Sequence, residues 1–296
     1  MYEKSFIFIN NIQTSVLTWG NPFNCNGQDV IVCVTGNPGI IDFYIEFGTA
    51  LHDYTKLPVC IIGHAGHEVL PDELSNVLKD REHLYKLQAQ LRHKEGLINK
   101  IDPQSKLHVL GHSIGSWMIV EILNSNPNIM ERVKSVHLLF PTVQRMADTY
   151  GGMIVNKFLR NLHSIVLFII HLLYLLPENL LTFFINQYVK FNKLPHQHVK
   201  NILKYINPII IEKVLILAYD EMDNVVNLNE EAFHKIKHIT HVVYSPTDGW
   251  APILYIDDLK QFLPDIKLKM VDVDHAFVLK SSEKVASIVS ENIVSH

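Results

Sequence analysis

Five residues, Gly111-His112-Ser113-Ile114-Gly115, do most to restrict what this chain can become. They lie between an apolar run, KLHVL, and a helix-patterned segment, IGSWMIVEIL. A strand that turns sharply into a helix at a serine needs small residues two positions to either side, because a Cβ there meets crossing backbone. The turn projects the serine hydroxyl from the sheet. The first N–H groups of the helix have no intrahelical partner and can hold a developing oxyanion. Ser113 therefore reads as a nucleophile and the backbone N–H of Ile114 as one oxyanion donor. The competing reading is a chance pentapeptide in a loop, and the flanking strand and helix argue against it.

The rest of the chain supplies the sheet that such a turn needs. Lys4–Ile9 and Ile12–Thr18 alternate around Asn10-Asn11, which predicts an antiparallel hairpin at a sheet edge. Asp29–Thr35, Leu57–Ile62, Lys106–Leu110, Ser135–Phe140 and His238–Tyr244 are nearly continuous apolar runs, as interior strands of a covered sheet are. Helical patterns at Glu73–Asn99, Ile114–Asn124 and Leu279–Val294 separate or follow them. Strands alternating with helices predict an α/β fold with a mostly parallel central sheet.

A serine nucleophile needs a base, and the base needs an orienting acid. His275, in VDVDHAFV, follows the alternating segment Ile266–Val273 and so falls on a loop after a late strand. That position singles it out among 17 histidines. Asp248, in YSPTDGW, follows the run ending at Tyr244, within reach of a histidine on the neighbouring loop. An ordinary Asp-Gly turn is the alternative there. Asp272 and Asp274, sequence neighbours of His275, read as bounding its loop or facing solvent, and Asp257 and Asp258 lie in a solvated stretch. The second oxyanion donor is expected from the loop Thr35-Gly36-Asn37-Pro38-Gly39. Pro38 has no N–H, so Asn37, Gly39 or Ile40 must supply it, and Asn37 is the leading candidate.

Other chemistries find less support. No G-x-G-x-x-G follows a strand and no G-x-x-x-x-G-K-[ST] occurs, so no nucleotide cofactor is expected. His64 and His67, in HAGH, have no third ligand at metal spacing. They are expected to shape the pocket mouth, with no metal and no cofactor. A net charge of −4 argues against a nucleic-acid partner. With 296 residues, 48% apolar and 19% charged, the chain suits one full-sized domain and excludes intrinsic disorder. The opening MYEKSFIFIN does not read as a secretory signal. Three scattered cysteines, Cys25, Cys33 and Cys60, point to reduced buried thiols in a cytosol-facing protein.

One segment breaks the alternation. Within the single domain 1–296, residues 149–211 read as a helical insertion. Ile165–Leu176 is apolar at eleven of twelve positions, His171 being the exception. Pro177-Glu178-Asn179 interrupts the run before a second apolar arm, Leu180–Ile185. Six basic residues (Lys157, Arg160, Lys190, Lys193, Lys200, Lys204) face one acid, Glu178. A spanning helix needs about 20 apolar residues, so this predicts a hairpin that dips into one face of a lipid layer. Leu167, Phe168, Ile170, Leu172, Leu175, Phe183 and Phe184 are its expected membrane contacts, with the basic flanks among anionic headgroups. A buried lid over the active site is the alternative, and the two are compatible.

Taken in order, GNPG, HAGH, GHSIGSW, LFPT (Leu139–Thr142), D-x-W-x-P (Asp248–Pro252) and HAF (His275–Phe277) resemble the lipid droplet-associated hydrolase family, from about Val30 to Val278. The resemblance implies an α/β-hydrolase fold and a Ser113–Asp248–His275 triad. It also implies lipid esters as substrates, sterol esters or related neutral lipids among them. The implied location is the surface of lipid droplets and the cytosolic face of the endoplasmic reticulum. The expectation is therefore a serine hydrolase of lipid esters at that surface. The alternative is a weakly active or non-enzymatic droplet scaffold built on a hydrolase fold.

Overall fold

The computed structural model describes residues 1–10, 12–69 and 81–295. The strands are β1 (Tyr2–Ile9), β2 (Ile12–Trp19), β3 (Val30–Val34), β4 (Val59–Ile62), β5 (Leu107–His112), β6 (Val133–Leu139), β7 (Thr240–Tyr244) and β8 (Lys267–Met270). They form one sheet in the order β1-β2-β4-β3-β5-β6-β7-β8. The β1/β2 and β2/β4 pairs are antiparallel and every other pair is parallel. This is the mostly parallel sheet with an N-terminal antiparallel hairpin that the sequence predicts.

Helices cover both faces: α1 (Ile45–Thr55), α2 (Leu87–Ile98), α3 (Ile114–Ser125), α4 (Pro127–Met130), α5 (Tyr150–Ile154), α6 (His163–Tyr174), α7 (Glu178–Phe191), α8 (His198–Tyr205), α9 (Pro208–Asn224), α10 (Glu230–Ile236), α11 (Ile253–Asp257) and α12 (Ser282–Val294). In β3, Val30, Val32 and Val34 face a core built with Met118, Ile119, Leu123 and Phe233. Ile31 and Cys33 face the opposite core, with Phe47, Leu51, Val285 and Val289. Two buried faces explain why the central strands read as continuous apolar runs.

Three sequence expectations need revision. Glu73–Asn99 is not one helix: residues 70–80 lie outside the described residues, and the described part opens with a 3-10 turn at Glu82–Leu84. Lys86 is extended, and α2 begins at Leu87, whose N–H donates to the Asp220 carboxylate at 2.8 Å. The last helix starts at Ser282, after a separate 3-10 turn at Phe277–Leu279. The insertion does not stop at 211, because that residue lies inside α9. The Asn207 side chain caps α9, accepting from Ile209 N–H at 2.9 Å, and Pro208 occupies its first position.

The chain leaves β3 toward β4 on one side and later places β5 on the other. The crevice beyond the carboxyl ends of β3 and β5 is therefore the switch point at which open α/β sheets bind ligands.

Candidate active site

Ser113 sits between β5 and α3 with φ +54° and ψ −123°, the left-handed backbone that a sharp strand-to-helix turn imposes. A Cβ on Gly111 would come within 2.5 Å of Ser116 Cα, and one on Gly115 within 2.4 Å of Val34 O. Both glycines are thus required by contact, as the sequence argument holds.

The loops after β5, β7 and β8 bring three distant residues together. Ser113 Oγ lies 2.9 Å from His275 Nε2, and Asp248 Oδ2 lies 2.7 Å from His275 Nδ1. Asp248 Oδ1 accepts from the backbone N–H groups of Trp250 (2.7 Å) and Ala251 (3.0 Å). Burial pushes the Asp248 carboxyl up. The His275 hydrogen bond and charge, with the two N–H donors, outweigh it and hold the group below the usual carboxylate range. An ionised Asp248 only accepts, so Nδ1 carries a proton, and in the neutral imidazole Nε2 is then bare toward the serine hydroxyl.

In the loop after β3, Thr35 N–H donates to Ile62 O, Gly36 N–H to Tyr44 Oη, Gly39 N–H to His67 Nδ1 and Ile40 N–H to Pro38 O. Asn37 N–H is left as the loop donor without a protein partner among the described residues. Of the three donors the sequence leaves open, Gly39 and Ile40 are already engaged. Ile114 occupies the first position of α3. The Asn37 side chain is clasped by α9, donating to Glu221 Oε1 (3.0 Å) and Val214 O (3.3 Å). Burial raises the Glu221 carboxyl to about 8. His64 and His67 lie behind this loop, fully buried, and do not shape the pocket mouth.

A cavity of about 360 Å³ opens beside Ser113 and His275. Phe43, Val278 and Leu279 line it from the body, and Tyr188, Leu194 and Ile202 from the insertion. Sequence reasoning missed these roof residues. They are spaced through two short helices and the link between them, and nothing local marks them out.

The expected membrane contacts divide. Phe168, Leu172, Leu175, Phe183 and Phe184 are exposed, whereas Leu167 and Ile170 are half-buried, on a helix that packs on α9. Leu162, Ile165, Ile169 and Phe191 join the exposed set. Lys157 and Lys190 are exposed, but Arg160 is engaged with Asp223 (2.9 Å) and Tyr219 O. Among the described residues no single helix is long and apolar enough to cross a membrane. The pair Tyr150–Leu159 and His163–Tyr174 meets that test jointly but is bent by 89°.

The family model for lipid-droplet associated hydrolases matches residues 27–278. The lipid droplet-associated hydrolase of Drosophila melanogaster is 38% identical and aligned over 99% of both chains. The human protein of that name is 28% identical over 98% of this chain and 94% of its own. Among solved structures, an alpha/beta hydrolase enzyme from a deep-sea metagenome superimposes with a TM-score of 0.67. It is 12% identical and the match covers 98% of this chain and 97% of that one, a likeness of fold. The chain thus has the α/β-hydrolase fold and belongs to the lipid-droplet associated hydrolase family.

Proposed function

We propose that this chain is a serine hydrolase of lipid esters, sterol esters or related neutral lipids, acting at the lipid droplet surface and the cytosolic face of the endoplasmic reticulum. The observation that best supports this is the Ser113–His275–Asp248 chain of hydrogen bonds at the foot of an apolar cavity. Family membership supports the droplet surface as the place of action.

In this reading Ser113 Oγ attacks the ester carbonyl carbon and His275 Nε2 takes its proton. The N–H groups of Asn37 and Ile114 hold the resulting oxyanion. Asp248 keeps Nδ1 protonated and stabilises the imidazolium. The tetrahedral intermediate collapses, the carbon–oxygen bond to the alcohol breaks, and Nε2–H protonates the departing oxygen. Water then gives a proton to Nε2 and adds to the acyl carbon. The second collapse returns that proton to Ser113 Oγ and releases the carboxylic acid. The exposed apolar faces of α6 and α7 would rest in the lipid layer, with the cavity roof above the entrance. The segment then serves as both anchor and lid.

Labelling with a fluorophosphonate probe tests the chemistry. The expected result is stoichiometric modification of the wild type, none of Ser113→Ala, and accumulation of sterol or neutral-lipid esters in cells carrying Ser113→Ala. An unlabelled wild type would favour the scaffold reading instead.

A further inference from the structure

Behind the nucleophile lies a buried link that joins the oxyanion loop to the catalytic histidine. His112 Nε2 faces the backbone carbonyl of His275 at 2.9 Å. A carbonyl only accepts, so Nε2 must carry a proton. Burial holds the His112 imidazole down to about 3, so the ring is neutral and Nδ1 is bare. The Tyr44 hydroxyl, 2.6 Å from Nδ1, must then donate to it. Its oxygen in turn accepts from Gly36 N–H at 2.9 Å. Every donor and acceptor along Gly36–Tyr44–His112–His275 is assigned without remainder. Both side chains are buried. A Cβ on Gly36 would lie 3.0 Å from Ser113 Cβ and 3.1 Å from His112 Nδ1, so the loop is seated directly on the nucleophile turn.

We propose that Tyr44 and His112 are positioning residues for ester hydrolysis, holding the Asn37 oxyanion donor and the His275 base in register across Ser113. The inference rests on the serine-hydrolase reading and adds to it. The two sides of the reaction centre come from loops after β3 and β8, at opposite sides of β5. The Gly36–Tyr44–His112–His275 path joins them by hydrogen bonds. A displacement of about 1 Å in such a centre costs on the order of 100-fold in rate, so a link made of fixed, directional hydrogen bonds would act on turnover and leave substrate binding alone. Tyr44 lines the catalytic cavity with its ring, and replacing it by Phe keeps that ring while removing the hydroxyl.

The test measures Tyr44→Phe, His112→Gln and His112→Leu in the full-length chain on p-nitrophenyl butyrate and p-nitrophenyl decanoate. Active sites are counted by fluorophosphonate labelling. For Tyr44→Phe, kcat per labelled site is expected to fall roughly 10- to 100-fold, by the same factor on both esters, with KM within threefold. His112→Gln keeps a donor for the His275 carbonyl and is expected to lose less than His112→Leu. A merely structural role would reduce the number of labelled sites and leave kcat per site at the wild-type value, which overturns the proposal. A change confined to KM, or to one chain length, overturns it in favour of a pocket-wall role. If Tyr44→Phe does not fold, equal kcat per site in the two His112 variants has the same effect. An unlabelled, inactive wild type sinks the serine-hydrolase reading and this inference together. A labelled wild type with an unaltered Tyr44→Phe sinks only the link.

Discussion

Two helices of twelve residues, α3 and α6, are both rich in apolar side chains, yet they have opposite fates. In α3 nine residues are buried, and its first turn meets the nucleophile. In α6 none is buried, and Phe168 is 62% and Tyr174 56% exposed. Each buried leucine-sized side chain contributes about 1.5–3 kcal/mol, so α3 is explained by contacts inside the chain and α6 is not. An exposed apolar face of that kind is what the proposed contact with a lipid layer would use. α7 stands between the two cases. Leu181, Ile185 and Val189 pack inward against Val199 of α8, while Phe183, Phe184 and Phe191 face outward.

The largest effect expected lies at the tip of α3. Ser113→Ala and His275→Ala should each lower kcat/KM on a soluble ester by about 10⁴-fold or more, with Asp248→Asn retaining somewhat more activity. Droplet binding should not change in any of them. Esterase assay beside droplet flotation checks both halves. Full activity in Ser113→Ala would remove the serine mechanism.

The contrast between the helices is sharpened by matched substitutions. Ile119→Ala, in the buried face of α3, should destabilise the fold by about 2–5 kcal/mol. Phe168→Ala should change stability by less than about 0.5 kcal/mol. Changing Phe168, Leu172 and Leu175 together to Ser should weaken flotation with neutral-lipid droplets by at least about 100-fold, since three such contacts are worth several kcal/mol. Activity on a soluble ester should persist. A triple variant that floats normally places the anchor elsewhere. One that stays folded but loses soluble-ester activity makes the segment chiefly a wall of the active site.

The same contrast explains what the sequence makes legible. Ser113, Asp248 and His275 are marked by local context, each at the end of a strand whose pattern is visible from its neighbours. The interior strands are legible because burial on two faces leaves uninterrupted apolar runs, whereas β1 and β8 are read from alternation. Asn37 is half-legible: its loop can be located, but the choice among three N–H groups depends on the turn that engages Ile40 with Pro38 O and on His67, which only the fold brings to Gly39. Tyr188, Leu194 and Ile202 are invisible in advance, because lining a cavity depends on the angle at which α7 and α8 cross it. The packing of α6 on α9, some 40 residues away, is likewise set by the fold and not by local pattern.

Glu221 offers a pH-dependent effect at the seam between insertion and body. Burial, partly offset by the Asn37 hydrogen bond and reinforced by Asp220, raises its carboxyl to about 8, against about 4.3 when unfolded. The folded state therefore holds this proton more tightly than the unfolded state. Its contribution to stability is complete below the unfolded value and is lost as pH rises toward about 8, by up to about 1.4 kcal/mol per pH unit. Glu221→Gln keeps an acceptor for Asn37 and cannot ionise. Denaturant unfolding should show the variant gaining on the wild type between pH 5 and pH 8. Parallel curves would mean that Glu221 is solvated in solution.

The smallest effect expected is at the ionic strap that ties α8 to the body. Asp42 accepts from Lys4 (3.0 Å), Lys204 (2.8 Å) and the Tyr205 hydroxyl (3.2 Å). Burial pushes its carboxyl up, but Lys204 and Lys4 outweigh this and hold it below the ordinary value. Its stabilisation is thus present above the unfolded carboxylate range and lost as pH falls through the folded value. Lys204 is 42% exposed, so water and salt screen its share. Lys204→Met should cost no more than about 1 kcal/mol at neutral pH and less at high salt. The substitution has a second consequence, because Ile202 lies two residues away on α8 and lines the cavity roof. Loosening the strap should raise KM for a soluble ester about two- to fivefold, as expected where a binding contact common to ground and transition state is lost, and leave kcat unchanged. This is the inverse of the pattern expected for Tyr44→Phe, so the two variants separate residues that shape the roof from residues that align the floor. A fall in kcat for Lys204→Met with KM intact would show that the roof reaches the reacting groups and that the two regions are not mechanically distinct.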